Sequence, residues 1–285
     1  MGLVTLAALC VAAFAILFRY FERYRVALLP AIAVNYTVAF ACGLIAAPTG
    51  RLNDANDLLL PASLIGILFV LIFTLAGLSA QRAGAARTTI AGRMSLVLTI
   101  TGTLLLFHER IEPITVVGIA LALIGLVLTT ATGQNNGAGQ GQWLLPMLLF
   151  LCSGAADIGF TYTQRTLAQG EVAAILPTLC FGASTVVSVL LLLVRREHGA
   201  LRQTRTWIGG VVLGMVNYAS LVLLVHALNA GTHPAAVIFP VMNILAILIA
   251  TAAGIILFKE RLSARQWSGI LLCLASLSLI MSATT

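Results

Sequence analysis

The chain has 285 residues, of which 60% are hydrophobic and 9% are charged, against about 25% charged in a typical soluble domain. This composition excludes an ordinary soluble protein and indicates an integral membrane protein. The formal net charge of +7 comes mostly from loop arginines, which report orientation towards the cytoplasm rather than nucleic-acid binding. We therefore expect no nucleic-acid partner.

The apolar residues form blocks about as long as a membrane-crossing helix, without the alternation typical of a barrel. The fold class is therefore all-α integral membrane, with ten transmembrane helices. The predicted spans are 3–18, 26–47, 58–80, 88–107, 113–131, 143–162, 172–194, 207–228, 234–258 and 266–282. The first span has no basic residue before it, unlike a cleavable signal, so we expect it to remain in the mature protein.

The two halves of the chain resemble each other. Phe107–Arg110, followed by Gly118, matches Phe258–Arg261, followed by Gly269, with the same spacing. A polar, uncharged stretch separates the halves, which gives a first unit over 1–133, a linker over 134–141 and a second unit over 142–285. Because each unit has five spans, the second copy enters the membrane from the opposite side, which predicts two inverted five-helix repeats.

The basic residues also predict an orientation. Twelve Lys and Arg residues fall in odd-numbered loops and three in even-numbered loops. The excess favours odd-numbered loops in the cytoplasm. With ten spans, both termini then face outward.

The paired stretches Phe107–Arg110 and Phe258–Arg261 carry a family resemblance. With the glycine that follows each of them, they make the chain similar to the drug/metabolite transporter superfamily, specifically its EamA-like ten-helix members. The resemblance implies inverted five-helix repeats, an acidic residue at the end of the fourth and ninth helices, and a central substrate cavity. Well-known members have both termini in the cytoplasm, which conflicts with the charge count.

Arg93 is the basic residue deepest inside a predicted span, about 8 Å from its start. A buried arginine costs roughly 2.5–3.5 kcal/mol on insertion scales. Arg93 could extend its side chain to the interface. It could instead be a cavity cation that attracts an anionic or carboxylate-bearing substrate, or an electrostatic gate.

Gly92 and Pro240 fall at corresponding positions, because Met94-Ser95 aligns with Met242-Asn243 at a constant offset. Paired helix interruptions are typical of transporter binding sites, and we expect these two residues to act as hinges. The alternative is a pair of packing kinks without a role in transport.

Asp157 is the carboxylate that lies well inside a span. Its depth differs from that of Arg93 by nine residues, about 13 Å, so a direct ion pair between them is not expected. Burial favours a neutral carboxyl group, and Asp157 could therefore exchange a proton during transport or bind a cationic group. It could also sit at the far interface as a cap.

Amides and hydroxyls add a candidate cavity lining at mid-span depth. Each buried amide needs a hydrogen-bond partner, and any single one could simply join two helices. The predicted substrate-binding residues are Arg93, Asn35, Tyr36, Ser95, Asp157, Asn217, Tyr218 and Asn243, with Thr99 and Gln81 less strongly supported.

Glu109 and Glu260 end the fourth and ninth spans. We expect them to be structural, either pairing with Arg110 or Arg261 or accepting hydrogen bonds from the first donors of the next helix. The pair Gly210 and Gly214 predicts close helix packing.

Nucleotide-binding and hydrolase motifs are absent from the sequence, as is metal-ligand spacing among the cysteines and histidines. We therefore expect no enzyme activity, no metal and no cofactor. The predicted function is secondary active transport of a small organic solute across the inner membrane by alternating access, as an exporter or exchanger. The expected partners are the solute, membrane lipid and a coupled proton, in a monomer or homodimer. The alternatives are a membrane scaffold, a channel-like protein without coupled transport, and, disfavoured by the missing motifs, a membrane-embedded enzyme.

Overall fold

The computed structural model describes residues 2–46, 56–107, 113–130, 143–168, 175–229 and 235–284. Ten α-helices follow one another along these residues. They are α1 Gly2–Arg23, α2 Leu28–Ala46, α3 Asn56–Ala83, α4 Ala85–Leu106, α5 Pro113–Thr130, α6 Leu144–Thr166, α7 Leu176–Val194, α8 Thr204–Asn229, α9 Ala235–Phe258 and α10 Ala264–Thr284. A short 3-10 helix, Glu197–Arg202, precedes α8.

These helices confirm the predicted all-α fold, with every predicted span overlapping one helix. Seven of the described helices, namely α1, α2, α3, α6, α7, α8 and α9, are long and apolar enough to cross a membrane. The other three, α4, α5 and α10, have 22, 18 and 21 residues, which also suits a bilayer span.

Helix packing is nearly symmetric between the first five helices and the last five. If α1 corresponds to α6, α3 to α8 and α4 to α9, then the α1–α8 pair matches α3–α6, and the α1–α9 pair matches α4–α6. Helices α2 and α7 pack together, as do α5 and α10. The arrangement is that of two inverted repeats whose helices interleave. The proposed linker, 134–141, lies outside the described residues.

Close packing of α8 on α2 confirms the prediction for Gly210 and Gly214. A methyl group added to Gly210 would lie 2.5 Å from Cβ of Val34, and one added to Gly214 would lie 2.7 Å from the carbonyl oxygen of Asn35. Only hydrogen fits at both positions, so the two helix backbones approach each other closely.

Small residues also join α5 to α10. A methyl group on Gly125 would lie 2.8 Å from the sulfur of Cys273 and 2.9 Å from the carbonyl oxygen of Gly269. The Ser276 hydroxyl donates to the carbonyl oxygen of Gly118 at 2.7 Å. Both repeated glycines found in the sequence, Gly118 and Gly269, therefore belong to one helix contact.

Candidate functional site

One side of α4 is apolar and the other carries the candidate site. Ile90, Met94 and Val97 are buried in a cluster with side chains of α5, α9 and α10. This packing fixes the rotation of α4 about its axis. Arg93, between these core residues in sequence, is thereby directed towards α9.

Arg93 contacts the second repeat through Asn243 of α9. Its Nη1 donates to Oδ1 of Asn243 at 3.5 Å, and within the described residues this is the single hydrogen bond that the guanidinium group makes. A guanidinium has five N–H donors. Arg93 is only partly buried, so the guanidinium has donors beyond the one that Asn243 uses.

Asp157 on α6 accepts hydrogen bonds from two hydroxyls of α4. Ser95 Oγ lies 3.2 Å and Thr99 Oγ1 3.3 Å from Oδ2 of Asp157. The same hydroxyls lie within hydrogen-bond distance of backbone carbonyls, Ser95 at 2.7 Å from Gly92 and Thr99 at 3.1 Å from Ser95. Each hydroxyl has one proton, so it can donate either to the carboxylate or to the backbone.

Asp157 is exposed although it does not face lipid. The exposed apolar stripe of α6 runs through Leu144, Leu148 and Leu151. At 100° of rotation per residue, Asp157 points to nearly the opposite side of the helix, where α3 and α4 pack. An exposed side chain on the inward side of a helix indicates a solvent-accessible interior space.

Arg93 and Asp157 belong to the same polar cluster without forming a direct ion pair, which confirms that expectation for these two described residues. Asp157 lies towards the C-terminal end of α4, because a methyl group on Gly102 would lie 2.5 Å from Cδ1 of Ile158. We call Arg93, Ser95, Thr99, Asp157 and Asn243 the α4 cluster.

The remaining candidates lie elsewhere, around α2 and α8. Asn217 Nδ2 donates to Oδ1 of Asn35 at 3.2 Å. Tyr36 is fully buried, and its hydroxyl donates to the carbonyl oxygen of Phe69 at 2.6 Å. Tyr218 is partly buried against the same aromatic core. The sequence candidates therefore divide into the α4 cluster and a packed interface between α2 and α8.

Gly92 and Pro240 both lie within continuous helices, α4 and α9. The expectation that they interrupt these helices is wrong. Gly92 nevertheless has space beside it, because an added methyl group would meet only Cδ2 of Leu149, at 3.9 Å. Pro240 lacks the N–H that would complete the hydrogen-bond pattern of the helix. The hinge role of Gly92 and Pro240 remains a prediction.

The partners expected for Glu260 require correction. Its Oε1 accepts the N–H of Ala85 at 2.8 Å, so Glu260 does cap a first helix donor, but that helix is α4 and not the following helix, α10. The N-terminus of α10 is capped by Ser263, whose Oγ accepts the N–H of Gln266 at 3.3 Å. Ser-x-x-Gln is a capping-box pattern that the sequence displayed.

Gln81 and Glu109 lie outside the α4 cluster and outside the described residues, respectively. The carbonyl oxygen of Gln81 accepts a hydrogen bond from Arg19 at 2.8 Å, so Gln81 lies at the end of α3 rather than in the α4 cluster. In the part of the chain that the structure describes, no three His, Cys, Asp or Glu side chains form a group that could hold a metal ion.

Comparison with known proteins supplies the family. Residues 1–131 match the model of the EamA-like transporter family. This stretch, a little under half of the chain, is therefore similar to a family of membrane transporters. The resemblance drawn from the Phe-x-Glu-Arg stretches is therefore confirmed, and the protein is a multi-pass membrane protein.

Similarity extends along the whole chain. An uncharacterized protein of Haemophilus influenzae is 27% identical over 279 residues, which cover 95% of this chain and 94% of that protein. A solved crystal structure of a protein superposes with a TM-score of 0.57 at 13% identity, covering 96% of this chain and 97% of the other. At that identity the second likeness concerns the fold alone.

Proposed function

We propose that this EamA-like protein is a secondary active transporter that moves a small organic solute through a central cavity by alternating access. The observation that carries the proposal is the α4 cluster, which holds a cation and a carboxylate at mid-helix depth without pairing them directly. Charged side chains inside a membrane are costly and typically mark a substrate or ion pathway. An unpaired cation and anion leave both charges available to ligands.

Arg93 supplies the preference for substrate charge. It makes one long hydrogen bond, at 3.5 Å, and its planar group can bind a carboxylate or phosphate through two parallel hydrogen bonds. The proposed substrate therefore carries an anionic group that contacts Arg93. Asn243 holds the guanidinium on the α9 side while leaving its other donors free for that group.

Asp157 supplies a site for proton coupling. When the carboxylate is charged, the Ser95 and Thr99 hydroxyls donate to it. When it is protonated, its own O–H can donate to one of them while both hydroxyls turn to their backbone acceptors. The carboxyl group and both hydroxyls thus have hydrogen-bond partners in either protonation state, so a proton can bind or leave without leaving a polar group unpaired.

Transport would run as export or exchange across the cell inner membrane, with lipid around a monomer or homodimer and without a cofactor. Rocking of the two repeats about the α4 cluster would expose it to each side in turn. The interleaved repeats support alternating access, and the similarity of residues 1–131 to a transporter family supports transport.

The direct test is counterflow in proteoliposomes made with purified protein. A stabilisation screen of small carboxylates and phosphates against neutral analogues selects the solute, and the screen is repeated with Arg93→Ala. The matched control is Arg82→Ala, since Arg82 is an exposed arginine at the end of α3. Saturable counterflow that Arg93→Ala abolishes and Arg82→Ala retains supports the proposal. Unsaturable flux would indicate a channel, and stabilisation unaffected by Arg93→Ala would remove the arginine from the site.

A further inference from the structure

The carboxylate of Glu260 links elements from both repeats at one membrane face. This face contains the loops after α1, α3, α7 and α9, and we call it the odd-loop face. Glu260 follows α9, accepts the N–H of Ala85 at the start of α4 at 2.8 Å, and lies 3.8 Å from Nε of Arg19 on α1. Its side chain is only 13% exposed, so these contacts are shielded from bulk water.

The backbone around Glu260 is shaped to receive this carboxylate. Gly84, the single residue between α3 and α4, has a φ of +99°, and a methyl group there would lie 2.9 Å from the carboxylate. A methyl group on Gly254 of α9 would lie 2.7 Å from Oε2. Lys259 adopts the left-handed conformation, φ 53°, and Glu260 donates its own N–H to the Gly254 carbonyl at 2.9 Å.

Arg19 extends the contact to α1 and α3. Its Nη1 donates to Glu22 and to the carbonyl oxygen of Gln81, both at 2.8 Å. Its guanidinium also lies 5.4 Å from the ring centre of Phe258. Glu260 and Arg19 therefore tie together the ends of α1, α3, α4 and α9.

The opposite face has a related contact at the corresponding helix ends. Arg165 of α6 lies 4.8 Å from the ring centre of Phe107 at the end of α4. Phe107 corresponds to Phe258 in the repeat, and α6 corresponds to α1. Asp157, the exposed member of the α4 cluster, lies on this side of Arg93 along α4. The solvent-accessible part of the cluster is thus directed away from the odd-loop face.

We propose that Glu260 is the latch of the odd-loop gate, which holds the start of α4 against the end of α9 and closes the cavity at that face. The inference rests on the proposed transport function and assigns the gate to a residue outside the α4 cluster. Releasing the carboxylate from Ala85 and Arg19 allows α4 and α9 to separate at this end. The latch is a charge-assisted helix cap, so removing its charge weakens closure without removing any apolar packing.

Thr251 provides a reporter of this opening. It lies on the same side of α9 as Ile247, Gly254 and Phe258, at helical spacing, and it is 4% exposed. Its hydroxyl has no hydrogen-bond partner among the described residues, so Thr251→Cys sacrifices no hydrogen bond. The substitution is made with Cys10, Cys42 and Cys152 changed to alanine, which leaves the two fully buried cysteines in place.

The experiment measures the rate at which a water-soluble maleimide labels the introduced thiol in nanodiscs. Glu260→Gln keeps an oxygen acceptor but removes the charge, and it should raise the rate about two- to fivefold, the effect of losing a favourable charge at a helix N-terminus. Glu22→Gln is the matched control. Glu22 also pairs with Arg19, but both residues lie on α1 and the Glu22 side chain is exposed, so this pair does not join α4 to α9. This control should leave the rate unchanged.

Labelling of Cys180 and Cys273, measured by peptide mass spectrometry in the same sample, detects general unfolding. If Glu260→Gln unfolds the protein, Arg19→Gln serves as the second variant, since it removes the ion pair and keeps the cap. Rates no higher than those of Glu22→Gln in the folded variants would overturn the latch. The measurement needs no substrate, so its outcome is independent of whether transport is found.

Discussion

Arg93 of α4 and Asn243 of α9 meet at 3.5 Å, and the contact joins the two helices that correspond in the repeats. Ser95 and Asn243 occupy aligned positions of these helices. Ser95 faces the carboxylate of Asp157, whereas Asn243 faces the guanidinium of Arg93. The symmetric scaffold therefore carries an asymmetric distribution of charge.

Asn243→Asp should block transport of an anionic solute. A carboxylate at this position would pair with Arg93 and occupy the donors that the solute needs. We expect counterflow to fall at least about tenfold, the effect of losing roughly 1.4 kcal/mol of binding, with unchanged thermal stability. Asn243→Ala serves as the control, because it removes the hydrogen bond without supplying a competing anion. Equal activity of Asn243→Asp and the parent protein would contradict a substrate contact at Arg93.

Asp157→Asn should remove the pH dependence of transport. Asparagine retains an acceptor for Ser95 and Thr99 but cannot exchange a proton, so flux should no longer respond to a proton gradient. Counterflow and gradient-driven uptake are measured across the pH range. Glu197→Gln, a change at an exposed carboxylate before α8, should leave the profile intact. A variant profile that tracks the parent would exclude Asp157 from proton coupling.

Gly92→Ala tests the hinge without disturbing packing. Its methyl group would meet only Leu149, at 3.9 Å, and alanine stabilises a helix interior by about 1 kcal/mol relative to glycine. We expect unchanged or higher thermal stability together with slower turnover, since α4 becomes stiffer. Gly199→Ala, where nothing lies within 4 Å, is the control. Normal turnover in Gly92→Ala would show that α4 need not bend there.

Gly214→Ala should destabilise the fold. The new methyl group would lie 2.7 Å from the carbonyl oxygen of Asn35, so α2 and α8 must separate. Forced overpacking of this kind costs about 1–3 kcal/mol. Thermal unfolding in detergent measures the loss, and a melting temperature equal to that of the parent would refute the close approach of these helices.

The sequence was sufficient to predict the ten helices and their inverted repetition because membrane spans must be long, apolar and internally hydrogen-bonded. It also located Arg93 and Asp157 at unusual depth. Depth alone did not predict that these two residues belong to one polar cluster. Their proximity depends on the rotation of α4 about its axis, which is fixed by the packing of Met94 and its core neighbours.

The contact of Glu260 with Ala85 could not be predicted from the sequence either. Its capped donor, Ala85, is 175 residues away in sequence, and only the interleaving of the repeats brings them together. The amide pair Asn35 and Asn217 is similar, because each was recognisable as polar and mid-span, while their mutual hydrogen bond depends on close approach of α2 and α8. Local patterns predict which residues need partners, and the packing of helices decides which partners they find.

The interleaving of the repeats also bears on biosynthesis. The contacts of α1 with α8 and α9 can form only after most of the chain has been made and inserted. Until then Arg93 lacks Asn243, and the start of α4 lacks the carboxylate that caps it. A ribosome that stalls after α5 would leave Arg93 inside the membrane without Asn243 and the start of α4 uncapped at the membrane face, where membrane quality control can recognise them. Two half-length chains produced together should therefore be degraded more slowly than either half produced alone.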